Sequence, residues 1–494
     1  MIIEQVKHAQ NIYDLLALCC KCLFDEMGES TDIFWKFEEE NVYDNVHDNA
    51  YDMIESYTCN IQDKGHKKAY ELLIRDISLW FQVGASLEKL YFLIKCIDEQ
   101  VENDIKCRAS KIHGFWKYSS LNELCKDEVK VIPKIRDTFL QNEEGKFILM
   151  DPNHNEYSLF REPGECFASS IDEAMNNYMI WDKRHLEQFP FTIFRVDEDS
   201  LLGKHFYHRK KVTIGIVPFT CRKIDDILNI QFEGKMFHID NMKQEANDEL
   251  KERYKNIYTR SRGKDIDFLV YPEMLMSEDI IDSITTEDLS KDGPKFIING
   301  SIWSNYTNRT ITTDLSGSKV FTYYKKCAFK YREKEKKYKE HLDSTLNREY
   351  VILEIIGFGR IGICICKDLT DENVLLFHKL IKTNILFVPA FSDSFQLEND
   401  AVSMASKYNC LTIFANSCAA YSAHWINDEN YDIGFVMIPA KKDTRSDCYM
   451  EKYAAEKCLE FCDNCCNCKL FTLSFNKVRT YDDRISVEIW NSDF

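Results

Sequence analysis

The chain has 494 residues, a formal net charge of −18 at pH 7 and 45% hydrophobic residues. This length allows two or three domains, and the hydrophobic content is enough to bury a core, which excludes a disordered chain. The negative charge argues against broad binding to a nucleic-acid backbone, and the longest apolar runs, such as 15–20 and 385–391, are too short to span a bilayer.

The first residues, 1–11, lack the basic start and the long apolar core of a signal peptide. The chain contains 20 cysteines. Without an export signal, this cysteine content predicts a reducing compartment and mostly free thiols. We therefore expect a cytoplasmic protein that has no membrane partner and is unlikely to bind nucleic acid.

Residues 1–140 have the periodicity of an all-helical domain. Apolar residues recur at three- and four-residue spacing in 12–23, 69–90 and 87–97, and almost no glycine or proline interrupts them. The next stretch, 141–207, mixes short β-like runs with a helical pattern. We predict that it is a small α+β segment that bridges two larger units.

The helical region contains one pair of residues with possible chemistry. Arg108 and His113 have the Arg-x4-His spacing, which resembles the signature of HEPN-type ribonucleases. That resemblance would imply action on an RNA 2′-hydroxyl and phosphate, although Ala109 stands where those domains usually carry a polar residue. The alternative is that the pair is structural or exposed to solvent.

Strands and helices alternate from residue 211 onward, which predicts an α/β domain over 211–494. Apolar runs of strand length alternate with helical patterns. The predicted strands are 212–217, 267–271, 296–298, 351–365, 384–388, 411–415 and 470–475, and the predicted helices are 242–260, 372–382 and 398–409.

Several of these strands end at a polar or reactive residue, among them Glu273, Cys366 and Asn416. Ligands of α/β folds bind at the carboxyl ends of the strands. Cys366 is therefore a candidate nucleophile, with a buried structural cysteine as the alternative. Cys364 lies two residues earlier on the same face of the strand, but only Cys366 reaches the strand end.

Three short motifs follow one another in the chain. They are Val-Tyr-Pro-Glu at 270–273, Tyr-Lys-Lys at 324–326 and Gly-Ile-Cys-Ile-Cys-Lys-Asp at 362–368. In this order they resemble the motifs of the nitrilase superfamily of carbon–nitrogen hydrolases, over about 211–475. The resemblance implies an αββα sandwich and hydrolysis of a non-peptide C–N bond through a thioester acyl-enzyme.

The resemblance also implies roles for individual residues. Glu273 would be the general base, Cys366 the nucleophile, and Lys326, which fits a Tyr-x-Lys spacing, would stabilise the oxyanion. Lys325 is the competing lysine. Many members of the superfamily carry a second glutamate between the lysine and the cysteine, and here Glu340 is preferred.

The loop 331–341 offers other candidates for this second glutamate, Glu333 and Glu335, and a solvent-exposed charged loop is the alternative for each. A further departure follows the nucleophile, where Lys367 stands in place of the usual aromatic residue. A lysine there would lower the thiol pKa and favour an anionic substrate, or it would simply point to solvent.

Five cysteines crowd the segment 458–468, in which Cys462, Cys465 and Cys468 have spacing that could hold zinc. No second CxxC and no nearby histidine accompany them. No metal or cofactor is therefore assigned to the protein from its sequence.

The function expected from these features is cleavage of a small amide-like substrate, with nitrile hydrolysis and N-acyl transfer left open. The superfamily resemblance also implies a homodimer or a larger homo-oligomer. An alternative is that the domain serves chiefly as an oligomerising scaffold for a helical effector, for example in bacterial antiviral defence. Nothing in the sequence identifies the substrate.

Overall fold

The structure is a computed structural model, and it describes residues 6–27, 44–84, 86–100, 111–112, 115–117, 129–133, 175, 178–196, 200–207, 209, 211–285, 289–333, 336–343, 345–346, 349–355, 358–392, 395–408, 410–422, 432–438, 449–454, 470–476 and 486–490. Arg108, His113 and the cysteine-rich segment 458–468 lie outside these residues. The ribonuclease and zinc hypotheses for them therefore stay predictions.

The α-helices of the described chain are Ile12–Met27, Asp44–Lys64, His66–Gln82, Leu87–Gln100, Lys183–Gln188, Leu201–Tyr207, Ile224–Ile227, Gln244–Ser261, Glu278–Ile281, Glu372–Leu380, Phe395–Tyr408 and Cys418–Ser422, with a 3-10 helix at Cys366–Thr370. The strands, numbered in chain order, are β1 Lys111–Ile112, β2 Phe115–Lys117, β3 Val129–Pro133, β4 Tyr178–Asp182, β5 Phe191–Val196, β6 Lys211–Ile216, β7 Leu228–Glu233, β8 Met236–Met242, β9 Phe268–Val270, β10 Phe296–Ile298, β11 Ile302–Ser304, β12 Thr307–Asp314, β13 Lys319–Tyr324, β14 Lys330–Glu333, β15 Lys336–Glu340, β16 Tyr350–Ile355, β17 Gly359–Ile363, β18 Ile385–Pro389, β19 Leu411–Ala415, β20 Asp432–Ile438, β21 Tyr449–Ala454, β22 Leu470–Asn476 and β23 Ser486–Trp490.

The chain divides into two compact units. The first comprises Met1–Ser110, Tyr118–Arg136 and Pro152–Phe191, and the second comprises Lys111–Lys117, Asp137–Asp151 and Thr192–Phe494. This division differs from the boundaries predicted at 140 and 207. The reason is strand pairing, because β2 pairs with β5 and so draws a short piece of the N-terminal region into the second unit.

The first unit contains the four helices within 12–100 and the antiparallel pair of β3 and β4. The amphipathic periodicity read from the sequence is visible in the helix His66–Gln82, whose buried residues are Ala69, Tyr70, Leu73, Ile77 and Phe81. The region predicted as wholly helical therefore also contains strands. Among the described helices, none has the length and apolarity that crossing a membrane requires.

The second unit is built on two large mixed sheets. One has the order β1-β2-β5-β16-β17-β18-β19-β20-β21, and the other has the order β11-β12-β10-β9-β6-β22-β23 with β13 paired to β12. Parallel pairing occurs among β17, β18 and β19 in the first sheet and among β6, β9 and β10 in the second. The α/β prediction for 211–494 is confirmed at the level of helices combined with several sheets.

Aromatic side chains connect the two sheets. The ring of Phe268 on β9 lies 5.1 Å from that of Phe387 on β18, and the ring of Phe194 on β5 lies 5.6 Å from that of Phe321 on β13. The two large sheets therefore face each other across aromatic side chains.

Helices pack on these sheets through aromatic side chains. Tyr254, on Gln244–Ser261, donates its hydroxyl to Asn299 Oδ1 just beyond β10 at 2.6 Å. Phe377, on Glu372–Leu380, stacks on Tyr350 of β16 with ring centroids 4.1 Å apart. Each large sheet thus has a helix packed against it.

The strand predicted over 351–365 is in fact an antiparallel pair, β16 and β17. β17 begins at Gly359, whose φ of 141° disfavours any side chain. A Cβ at this position would also lie 2.9 Å from Asn384 Oδ1. A glycine inside the predicted strand is the signal that the sequence-based prediction overlooked.

A buried group of three charges connects the strands of this region. The Glu354 carboxylate on β16 accepts hydrogen bonds from Arg195 on β5 and from Arg360 Nε on β17, the latter at 2.8 Å. All three residues are buried. Burial alone would raise the pKa of Glu354, but the two guanidinium groups outweigh it and lower the pKa.

Replacing this glutamate should destabilise the fold. We expect Glu354→Gln to lower the free energy of unfolding by about 3–5 kcal/mol, because two buried cations lose their counter-charge. Since the folded-state pKa of Glu354 is lowered, the carboxylate contributes stability above its unfolded pKa and loses it as the pH falls. Urea unfolding of both proteins measures the difference, which should shrink in acid.

Glu349→Gln is the matched control. Glu349 is exposed, and its carboxylate accepts from Thr192 Oγ1, also on β5, at 2.8 Å. Its replacement should change the unfolding free energy by no more than about 0.5 kcal/mol. Equal effects of the two substitutions would show that the buried charges add no more to the free energy of unfolding than an exposed carboxylate does.

Candidate active site

Cys366 lies just beyond the end of β17, at the first position of the 3-10 helix. Its backbone has a φ of 46°, in the left-handed region that side chains other than glycine rarely occupy. The residue is 2% exposed, and the backbone amide of Phe391 donates to its sulfur. Backbone strain of this kind costs about 1–3 kcal/mol and clusters at active sites.

Glu273 occupies the corresponding position beyond β9, in the other large sheet. Its Oε1 accepts hydrogen bonds from Lys325 Nζ at 2.7 Å and from Asn308 Nδ2 at 2.9 Å, and a further hydrogen bond joins its carboxylate to the thiol of Cys366. The residue after it, Met274, also has a left-handed backbone, with a φ of 67°. Both predicted strand-end residues thus meet at one place.

Lys325 is the lysine that reaches this place. It is completely buried, and its Nζ lies 2.7 Å from Glu273 Oε1 and 2.8 Å from Glu340 Oε2. The side chain of Lys326 goes elsewhere, with Nζ 3.8 Å from the centre of the Tyr350 ring. The structure therefore places Lys325 beside Glu273, in the position that the sequence analysis expected for Lys326.

The strand alternation of β13 explains this reversal. Phe321 and Tyr323 are buried, whereas Thr322 and Tyr324 are only partly buried. Continuing the same alternation past the strand end puts Lys325 on the buried side. The Tyr-x-Lys spacing pointed to Lys326, which is one residue beyond the buried lysine.

Glu340, the last residue of β15, is the second carboxylate of the site. Its Oε1 accepts from Trp303 Nε1 at 3.0 Å and from Asn308 Nδ2 at 3.1 Å, while its Oε2 accepts from Lys325 Nζ at 2.8 Å and from the Phe329 amide at 2.9 Å. The side chain is completely buried. Four donors therefore surround a single carboxylate.

These contacts separate the proton affinities of the two acids. Burial, reinforced by the charge of Glu340, raises the pKa of Glu273 despite the attraction of Lys325. Burial would also raise the pKa of Glu340, but Lys325 and the other donors outweigh it and lower the pKa. Two carboxyl groups with divergent pKa values are typical of acid–base catalysis.

The surroundings also raise the pKa values of Lys325 and Cys366. Burial would lower the pKa of Lys325, but Glu273 and Glu340 outweigh it, and the pKa lies well above its usual value. For Cys366, burial and then the charge of Glu273 raise the thiol pKa well above its usual value. The resting site therefore holds a charged lysine and a protonated thiol.

Asp368 accepts hydrogen bonds from the backbone on both sides of these groups. Its Oδ1 accepts from the amides of Lys326 and Cys327 at 2.9 and 2.7 Å, and its Oδ2 accepts from the Ile365 amide at 3.1 Å and the Tyr323 hydroxyl at 3.0 Å. A single carboxylate thus ties the loop of the buried lysine to the segment that precedes the thiol.

Sequence reasoning missed Asn308 and Trp303. Asn308, on β12, is buried and donates to both Glu273 and Glu340, which lie 35 and 32 residues away along the chain. No local pattern reveals contacts at such separations. The neighbours of Asn308 in the chain, Thr307 and Arg309, are polar as well, so the sequence does not distinguish Asn308 from them.

The assembled groups are a thiol, a carboxylate that accepts its proton, and a charged amine beside them. Together they are sufficient for acyl transfer, since the carboxylate can activate the thiol and the amine can stabilise a developing oxyanion.

Comparison with known proteins gives matches among solved structures only. No family model matches the sequence, and no curated protein matches it. The structures include Nit3 of Saccharomyces cerevisiae, a member of branch 10 of the nitrilase superfamily (13% identity, 51% of this chain, 92% of that chain, TM-score 0.33), and an amidase from Nesterenkonia sp. (12% identity, 56% and 94%, TM-score 0.34). They also include the C. elegans NitFhit protein (16% identity, 50% and 61%, TM-score 0.32). The chain is thus similar to members of the nitrilase superfamily over about half its length, at identities and TM-scores too low to show membership.

Proposed function

We propose that the second unit is a nitrilase-like αββα sandwich that hydrolyses a carbon–nitrogen bond of a small amide-like molecule. The observation that carries this proposal is the buried contact between three groups. Lys325 Nζ lies 2.7 Å from Glu273 Oε1, and the Glu273 carboxylate is hydrogen-bonded to the Cys366 thiol. Glu273, Lys325 and Cys366 are the proposed catalytic residues, with Glu340 as the carboxylate that orients the lysine.

In the first half of the reaction, Glu273 takes the thiol proton as the sulfur of Cys366 attacks the substrate carbon. The carbonyl oxygen becomes an oxyanion, to which Lys325 and the backbone N–H of Lys367 donate. Collapse of this intermediate breaks the C–N bond, and Glu273 returns the proton to the leaving amine. The acyl group remains on Cys366 as a thioester.

In the second half, Glu273 takes a proton from water, and the resulting hydroxide attacks the thioester. A second oxyanion forms and collapses with cleavage of the C–S bond, and the sulfur recovers its proton from Glu273. Glu340 stays ionised throughout and fixes Lys325 in place. The products are a carboxylic acid and a regenerated thiol.

The test uses an acyl donor that does not depend on knowing the natural substrate. p-Nitrophenyl acetate should produce a burst of p-nitrophenolate and an acetyl group on the peptide that contains Cys366, which hydroxylamine removes. Acetylation confined to other residues would contradict the proposal. A panel of small amides and nitriles, monitored for amine or ammonia release, then identifies the bond that is cleaved.

The proposed role of Glu273 as general base predicts how the rate of thiol acylation depends on this residue and on pH. We expect Glu273→Gln to slow acylation of the thiol about 10²-fold or more, because an amide cannot accept the proton. Since burial raises the pKa of Glu273, the wild-type rate should fall as the pH drops through a value above the usual one for glutamate. The burst rate measured against pH should show this decline in the wild type and lack it in the variant.

Glu278→Gln is the control for this experiment, because Glu278 is exposed and pairs with Arg309 away from the thiol. Its burst rate and pH profile should match those of the wild type. A Glu273→Gln variant with a normal rate would assign the role of base to another group.

A further inference from the structure

A second group of chemically active side chains lies outside the catalytic contacts, at one end of the small sheet β14-β15-β8-β7. β7 and β8 form a hairpin in which Glu233 pairs with Met236. β15 runs parallel to β8, with Glu340 opposite Phe237. The next residue, His341, donates its amide to the Phe237 carbonyl at 2.8 Å, and this register brings His341 beside His238.

Glu233, His238 and His341 converge there, with one potential ligand atom from each within 4.8 Å of the other two. His238 is 9% exposed. The Nδ1 atoms of both histidines are buried and have no hydrogen-bond partner among the described residues. Buried polar atoms are almost always paired, so two such nitrogens beside a carboxylate call for an explanation.

The position of Asp240 indicates which ring nitrogen of a neutral His238 carries the hydrogen. Its Oδ1 lies 3.1 Å from His238 Nε2, so in a neutral ring the Nε2–H donates to this carboxylate and Nδ1 carries the lone pair. A histidine that binds a metal characteristically donates its other nitrogen to a carboxylate in this way. Tyr306, whose ring lies 5.2 Å from that of His238 and 4.6 Å from that of His341, packs against both imidazoles.

We propose that His238, His341 and Glu233 bind one Zn²⁺ ion, through the Nδ1 of each imidazole and a carboxylate oxygen of Glu233. Two imidazoles and a carboxylate are a donor set that suits Zn²⁺ or Co²⁺, whereas Ca²⁺ and Mg²⁺ prefer oxygen ligands. Glu233 is exposed, which gives the ion a path from solvent. The fourth coordination position is left to a solvent molecule.

The site would connect two parts of the second unit. The ion would fasten the hairpin of β7 and β8 to the end of β15, because it binds one residue from each strand of the hairpin and the residue that follows β15. Glu340, the residue before His341, accepts from Lys325. Metal binding would thus hold in place the strand end that carries the second carboxylate.

Co²⁺ binding to the full-length protein, stripped with a chelator, tests this proposal. The chain has many cysteines, and cobalt bound by thiolates gives charge-transfer absorption in the near ultraviolet that a histidine–carboxylate site lacks. We expect one equivalent of Co²⁺ that has d–d bands without thiolate absorption, in addition to any Co²⁺ that the cysteines of 458–468 bind. With Zn²⁺ at about 100 times its Kd, Tm should rise by a few degrees.

The variants identify the ligands. The double variant His238→Ala/His341→Ala should lose that equivalent and the Zn²⁺-dependent rise in Tm. Glu233→Gln, at an exposed position that the fold tolerates, should weaken binding, and Asp240→Asn should weaken it about 10–100-fold without removing the site. His66→Ala, at an exposed helix terminus, should bind as the wild type does.

Three results would overturn the proposal. They are the absence of a thiolate-free equivalent in the wild type, the same equivalent in the double histidine variant, and undiminished affinity in Glu233→Gln.

Discussion

A Cys366→Ala variant is expected to form no acyl-enzyme and to lose all turnover that depends on it. Among the cysteines that the structure describes, only Cys366 combines a position beyond the strand end, a left-handed backbone with a φ of 46° and a hydrogen bond to the proposed base Glu273. Alanine keeps the backbone and removes the sulfur. Peptide mapping after reaction with p-nitrophenyl acetate, together with the burst of p-nitrophenolate, measures the loss.

Cys364→Ala is the matched variant for this test. Cys364 is completely buried, and burial raises the pKa of its thiol well above the usual value. It lies two residues before Cys366 and outside the 3-10 helix that Cys366 begins, so the variant should keep most of the acetylation. Loss of the adduct in Cys364→Ala with retention in Cys366→Ala would assign the nucleophile to the other thiol.

A Lys325→Met variant is expected to lose about 10²–10³-fold in kcat/KM, the scale of a lost oxyanion donor. Methionine has a similar length but cannot donate to a negative oxygen. It also leaves Glu273 and Glu340 buried without the cation between them, which should cost about 3–5 kcal/mol of stability. Steady-state kinetics and thermal unfolding of the same preparation separate the two effects.

Lys326→Met provides the comparison one residue away. Its ammonium lies over the ring of the buried Tyr350, an interaction of about 0.5–2 kcal/mol. Its backbone amide, which donates to Asp368, is unchanged by the substitution. A loss in Lys326→Met as large as in Lys325→Met would show that the placement of the lysines does not govern the reaction.

The double variant Lys325→Met/Glu340→Gln decides what the lysine does. It removes one buried carboxylate together with the cation, so part of the lost stability should return. Turnover should not return, because no donor for the oxyanion is restored. Recovery of turnover would mean that Lys325 serves only to balance charge.

The sequence predicted those parts of the site that follow directly from buried strands. Glu273 and Cys366 each stand just beyond an apolar run, one in each large sheet, and ligands of α/β folds bind beyond the carboxyl ends of such strands. The α/β alternation after residue 211 was predictable for the same reason, because strand and helix periodicities are local properties of the chain.

The remaining features depend on contacts between distant segments. The choice between Lys325 and Lys326 depends on which face of β13 is buried, and the role of Asn308 depends on two acids more than thirty residues away. The division of 351–365 into two strands depends on the antiparallel pairing of β16 with β17. These outcomes depend on how the strands pair and pack in the folded chain.

The carboxylate of Asp368 has a consequence for redesign of the protein. Because it holds the amides of Lys326 and Cys327 as well as that of Ile365, the segment that follows β13 and the segment that leads to Cys366 form a single unit. A loop transplanted from another protein into this candidate site would have to present two amides to this carboxylate in the same geometry. Engineering of the site therefore has to exchange both segments together.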